Sequence, residues 1–211
     1  MSLSAKLWAE NADLTQEALG HRFVRGIADG TLPLESFQEY VAQDAFFLES
    51  FARAYALALA RTPDAGNLHD FAELLAGVLE ELKLHEGYAA RWNVDLGEAV
   101  PGKATLAYTD FLLATASLGS VGQTCAAMTP CMRLYAFLGQ SLAEEGVGQD
   151  NPYAEWVETY SDPEFEALAA RLEELLDRSA DDTPAVRSAY RRAMTLEIGF
   201  FEANSPTEET R

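Results

Sequence analysis

Along most of the chain, apolar residues return every three or four positions, and no stretch alternates with period two for long. That pattern marks amphipathic helices rather than strands. Its breaks coincide with Gly30, Gly66, Gly97, Gly102, Gly146 and Gly148, and glycine commonly interrupts a helix. Four prolines sit behind a capping or turn residue, at Leu32-Pro33, Asn151-Pro152, Asp162-Pro163 and Thr183-Pro184. Each pair reads as a helix start, because the first helical position tolerates proline and Asn, Asp or Thr before it can cap free amides. The spacing predicts helices near 4–28, 34–61, 67–92, 103–119, 121–145, 152–159, 163–179 and 184–203. Long helices of this kind pack antiparallel. No repeat, low-complexity linker or shift of composition divides residues 1–211, so the expectation is an all-α, single-domain helical bundle with a polar tail over about 204–211.

Two helix faces carry acids where apolar residues belong. Tyr40, Asp44, Phe47 and Phe51 follow one another at spacings of four, three and four, which puts them on one side of the helix 34–61. Tyr190, Met194, Glu197, Phe200 and Phe201 share a face of the last helix in the same way. A carboxylate inside an aromatic stripe must be paired, hydrogen-bonded or neutral. Two such acids on separate helices can face a common pocket. Periodicity alone fits equally a packing role, with each acid bonded to a Tyr or Arg.

Charge removes several function classes. Asp and Glu number 34 against 15 Lys and Arg, a net charge of −19. Such a surface repels phosphate backbones and anionic membranes, so neither nucleic acid nor membrane is expected as a partner. No run approaches the ~18 consecutive apolar residues of a membrane span. The first residues show no apolar core of a secretory signal, and two cysteines, Cys125 and Cys131, make no disulfide framework. A cytoplasmic location is expected.

Metal and nucleotide motifs are equally sparse. Histidine occurs at positions 21, 69 and 85, and Glu81 and His85, four apart on a helix, could make an ion pair or half a metal site. A di-iron bundle needs Glu-x-x-His on two helices, and a structural zinc site needs four close ligands. No metal and no cofactor are expected. The chain has no Gly-x-Gly-x-x-Gly, phosphate-binding loop or Gly-x-Ser-x-Gly.

Cys131 stands directly after Pro130 in Ala-Ala-Met-Thr-Pro-Cys-Met. If Thr129 caps a new helix, Cys131 lies in its first turn, where free amides lower a thiol pKa. If Pro130 only kinks a continuous helix, the carbonyl of Ala126 loses its donor. Both settings suit a reactive thiol; an inert buried cysteine is the alternative. Cys125 has no such context and reads as core.

An ordered set of segments resembles the TenA (thiaminase II) family. HRFVRGIADGTLPLESFQEYVAQDAFFLESFARAYA, residues 21–56, is similar to its N-terminal signature. Glu81-Leu-Lys-Leu-His85 resembles the family's Glu-x-x-x-His, and Tyr108 falls at its helical tyrosine. Met128-Thr-Pro-Cys-Met-Arg-Leu-Tyr135 resembles the segment bearing its nucleophile. Asn151-Pro-Tyr-x-x-Trp156-x-x-x-Tyr160 and Glu197-Ile-Gly-Phe-Phe201 resemble its two C-terminal motifs.

The resemblance implies a haem oxygenase-like helical fold without haem, assembled as a homo-oligomer (tetramer or dimer). It implies hydrolysis of aminomethyl-pyrimidine or thiamin to hydroxymethyl-pyrimidine, in thiamin salvage. By resemblance Cys131 adds to the pyrimidine, Asp44 holds the ring and the nucleophile, and Glu197 moves protons at the aminopyrimidine edge. Tyr108, Tyr160, Tyr135, Phe47 and Phe200 would form the substrate-binding walls. The family commonly has tyrosine where this chain has Phe47, and tryptophan where it has Phe201. The missing hydroxyl leaves a second expectation, a non-catalytic or differently specific binder of a flat heterocycle.

Overall fold

The computed structural model describes residues 1–148 and 150–206. In chain order the helices are α1 (Leu3–Glu10), α2 (Ala12–Gly20), α3 (Arg22–Asp29), α4 (Leu34–Arg61) and α5 (Ala65–Arg91). They continue with α6 (Lys103–Leu118), α7 (Val121–Glu145), α8 (Ala154–Ser161), α9 (Pro163–Ser179) and α10 (Pro184–Ala203). No strand occurs among the described residues, and none of these helices is long and apolar enough to cross a membrane.

The single helix expected over 4–28 is three helices. At Asn11 the backbone leaves helical geometry (φ −109°, ψ 21°), and the side-chain amide donates to the carbonyl of Leu7 at 2.8 Å. At His21 the backbone is extended (ψ 138°), and the ring Nδ1 accepts from the amide of Phe23, starting α3. Both residues are polar and fit an amphipathic pattern, so periodicity does not betray them; their side chains compete with the helical ladder. Gly30 ends α3 at φ +69°, in the left-handed region that glycine enters without steric cost.

Asp162 and Thr183 cap α9 and α10 through bonds from the amides of Glu164 and Val186, with proline at the first position of each helix. Pro33 directly precedes α4. Asn151-Pro152 departs from expectation: it forms a turn, and α8 begins at Ala154. The side-chain carbonyl of Asn151 accepts from the amide of Tyr153, while its side-chain amide donates to the carbonyls of Ile27 and Ala28 at 2.9 Å. The turn thus fastens the start of α8 to α3. Of the expected tail, residues 207–211 lie outside the described residues. Asn204 and Ser205 are buried and bond back to the carbonyls of Phe200 and Phe201.

α7 is the central helix, packed against α2, α4, α6, α8, α9 and α10. It opens with a reciprocal cap between Ser120 and Gln123 and runs without interruption through Pro130. Thr129 starts no helix: its hydroxyl donates to the carbonyl of Cys125 at 2.8 Å. α7 and α8 meet backbone to backbone at Gly139, where a Cβ would lie 2.4 Å from the carbonyl carbon of Tyr160. No side chain is there to give way. Gly139→Ala is therefore expected at the upper end of overpacking costs, about 3 kcal/mol, lowering Tm by about 6–12 °C. A melting curve superimposable on wild type would show that α8 shifts freely over α7.

α4 anchors the site. Its buried Gln43 accepts from the amide of Gly102 and the hydroxyl of Thr105, and donates to Glu39 and the carbonyl of Val100. This side chain ties the start of α6 to α4 one residue away from Asp44.

Candidate active site

The seven helices α4 to α10 line a cavity. All eight residues singled out from the sequence line it: Asp44 and Phe47 on α4, Tyr108 on α6, Cys131 and Tyr135 on α7, Tyr160 on α8, and Glu197 and Phe200 on α10. They are brought together from across nearly the whole chain.

The walls are aromatic. Phe47 packs on Tyr108 (ring centroids 4.8 Å), Phe51 (5.4 Å) and Phe200 (6.3 Å). Opposite them, Tyr160 packs edge-on to Tyr135 (4.8 Å) and Phe165 (5.0 Å). Rings arranged in this way receive a flat, electron-poor heterocycle by stacking. Phe201 stands behind the wall, stacked on Phe23 at 5.5 Å and packed on Tyr135.

Polar atoms converge at one end. Tyr108 donates to Glu197 at 2.6 Å, and the thiol of Cys131 lines the cavity beside the same carboxyl. His85 Nε2 lies 2.8 Å from the carbonyl of Val41 and must donate, since a carbonyl only accepts. The other ring nitrogen then faces Asp44 at 3.8 Å. The hydroxyls of Tyr40 and Tyr135 are 3.4 Å apart, and the indole of Trp156 donates to Tyr40.

Burial sets the protonation. It pushes Glu197 up to about 8, the Tyr108 bond opposing and the charge of Asp44 adding. Glu81 is also pushed up to about 8, by burial and then by Asp44. Burial raises Asp44, with His85 opposing. Burial lifts Cys131 well above the thiol range, and the charges of Glu197, Asp44 and Glu81 lift it further. This corrects the expectation of amides lowering its pKa. Cys131 sits in the middle of α7, where every amide is spoken for by the helix, and three acids surround it. Cys125 is fully buried and pushed up to about 12, as suits a core residue.

Glu81 is the residue that sequence reasoning missed as a site group. Its spacing from His85 suggested an ion pair, yet the side chain lines the cavity with Asp44 and Cys131, while His85 faces Asp44. Among the described residues no group of three or more His, Cys, Asp or Glu is arranged to hold a metal ion.

Raised carboxyl pKa values make stability fall with pH. Glu81 and Glu197 bind protons in the folded state up to about pH 8 but release them near pH 4.5 when unfolded. The folded state then binds more protons between those values, so its stability is greatest below the unfolded pKa and is lost as pH rises through about 8. Each group steepens the fall by up to about 1.4 kcal/mol per pH unit. Urea unfolding from pH 5 to 9 is expected to show this decline, and Glu197→Gln to flatten it; a stability that rises across this range would contradict the buried, neutral acids.

Fold and cavity together define an all-helical protein with a buried thiol–carboxyl pair at the end of an aromatic slot. The chain belongs to the TENA/THI-4/PQQC family, whose family model matches residues 8–205. Among curated relatives, the aminopyrimidine aminohydrolase of Halalkalibacterium halodurans is 35% identical over 85% of this chain and 83% of its own. The mitochondrial bifunctional TH2 protein of Arabidopsis thaliana is 34% identical over 99% of this chain, which spans only 38% of that protein. The solved structure of a TenA homologue from P. horikoshii superposes with a TM-score of 0.89 at 26% identity, covering 97% of this chain and 98% of that one.

Proposed function

We propose that this chain is a cysteine-dependent hydrolase that releases hydroxymethyl-pyrimidine from aminomethyl-pyrimidine or thiamin, in thiamin salvage. One observation carries the reading: the Glu197 carboxyl, which accepts from the Tyr108 hydroxyl, stands beside the Cys131 thiol at the end of a slot walled by aromatic rings. The name of the Halalkalibacterium relative agrees with it.

The chemistry follows from the geometry. Glu197 takes the thiol proton, and the sulfur adds to a ring carbon of the electron-poor pyrimidine. Addition breaks the ring's aromaticity, and its electrons expel the substituent on the methylene carbon, as ammonia once the amine carries a third proton or as neutral thiazole from thiamin. Water adds to that carbon and gives up a proton, which replaces the one ammonia carried away or, with thiamin, is released. The thiolate then departs, the ring regains aromaticity, and Glu197 returns the proton to sulfur. Asp44, held beside the ring by His85, bonds to the amino edge of the substrate. Tyr108, Tyr135, Tyr160, Phe47 and Phe200 keep the ring in plane. The enzyme works in the cytoplasm as a homo-oligomer, tetramer or dimer, on a small pyrimidine, with no nucleic-acid partner.

Phe47 favours a second reading. Its ring faces the cavity without a hydroxyl to bond a substrate, which suits a differently specific or non-catalytic binder. Turnover of aminomethyl-pyrimidine and thiamin, with product read by mass spectrometry, decides between them. Hydroxymethyl-pyrimidine from either supports the hydrolase; tight binding without product supports the binder.

A further inference from the structure

A second cavity adjoins the first and shares Asp44, Glu81 and Tyr160 with it. The first cavity is walled mainly by rings. The second mixes the rings of Tyr40, Trp156 and Tyr160 with polar groups, among them His85, Arg91, Glu155 and Thr159. Glu81 stands on the boundary between the two. A ring seated against Cys131 and Phe47 has a neighbouring polar space available for its substituent, and the hydrolysis described above gives Glu81 no part.

We propose that Glu81 is a further catalytic residue, holding a proton on the departing amine of a primary-ammonium substrate, and that the polar cavity receives that amine. The inference rests on the hydrolase reading of the site. A primary amine leaves only as ammonia: the carbon–nitrogen bond breaks with its electron pair on nitrogen, which must already carry a third proton. Burial strips that proton from an ammonium group, as it does from buried lysine. A carboxyl beside the nitrogen opposes the loss, whether it enters as the acid facing an amine or as the carboxylate facing an ammonium. Glu81, raised by burial and by Asp44, holds such a proton at neutral pH. Asp44 faces His85, and Glu197 is engaged with Tyr108 and Cys131. When ammonia has left, the water that replaces it gives a hydroxyl to carbon and a proton to Glu81, so atoms and charges balance.

Thiamin provides the control. Its leaving group is a permanently cationic thiazolium, which departs as neutral thiazole and needs no proton. Glu81→Gln is therefore expected to lower kcat for aminomethyl-pyrimidine about 100-fold more than it lowers kcat for thiamin. Glu81→Asp, which keeps the acid and draws it back, should recover part of the loss on the amine only. If Glu81→Gln does not fold, as judged by its melting curve, Glu81→Asp carries the same comparison of substrates. Equal losses on both substrates, no loss on either, or a larger loss on thiamin would overturn the inference and leave the hydrolase reading standing. Wild-type protein inert toward both would overturn that reading and this inference with it.

Discussion

Cys131→Ser is expected to lower turnover of the pyrimidine substrate at least about 10³-fold, because a serine hydroxyl at this site stays protonated and adds poorly to a heterocycle. The resting thiol is itself protonated, held there by burial and three neighbouring acids. Its use as a nucleophile depends on sulfur giving up the proton to Glu197 as the ring arrives, a transfer far less favourable from an alcohol. The fold should tolerate the exchange. Cys131 lies on the cavity rather than in the closed core, and serine is the smaller group. Single-turnover kinetics, with pyrimidine affinity measured calorimetrically on the same protein, separates the chemical step from binding. Turnover within tenfold of wild type would remove Cys131 from the mechanism.

The second large effect belongs to Glu197. Glu197→Gln keeps the shape of the side chain and an oxygen for the Tyr108 hydroxyl, but ends its service as proton acceptor. A fall in kcat of about 10²–10⁴ follows, with KM nearly unchanged. The pH profile adds a signature that a structural role would not give. A base pushed up to about 8 is mostly protonated at neutral pH, so wild-type rate should climb toward pH 8 as Glu197 ionises. In the glutamine variant that rising limb should vanish. A variant that keeps the limb at reduced height would place the titrating base elsewhere.

The stripe containing Asp44 and Phe47 was readable because helix periodicity places residues on a face whatever that face packs against. The same holds for Glu197 and Phe200. What periodicity does not supply is the partner. Asp44 meets His85 from α5, and Glu197 meets Tyr108 from α6 and Cys131 from α7. Those pairings exist only once the helices close on one another, so the roles of the residues rested on family resemblance. Glu81 was hidden by its surroundings. It follows Glu80 and precedes Lys83 and Glu86 in a segment that reads as a solvated face, and only the packing of α5 on α4 turns it inward. The breaks at Asn11 and His21 escaped for a local reason: a polar side chain that bonds its own backbone leaves no mark on apolar spacing. Pro130 illustrates the opposite case. The residue forbids one helical bond, yet packing on six other helices holds α7 continuous through it.

The contact of α7 with α8 at Gly139 decides how far this pocket can be re-engineered. Behind Tyr160 the wall is main chain against main chain, with no side chain to trim or exchange. On that side, room can be gained only from the side chains of Tyr160, Tyr135 and Phe165 themselves, not from the layer behind them. The opposite wall is made of the side chains of Phe47, Phe51, Tyr108 and Phe200. Changes in substrate range, by laboratory selection or by natural divergence, therefore have their room on the α4 side, and position 47 is the first place where they would be found.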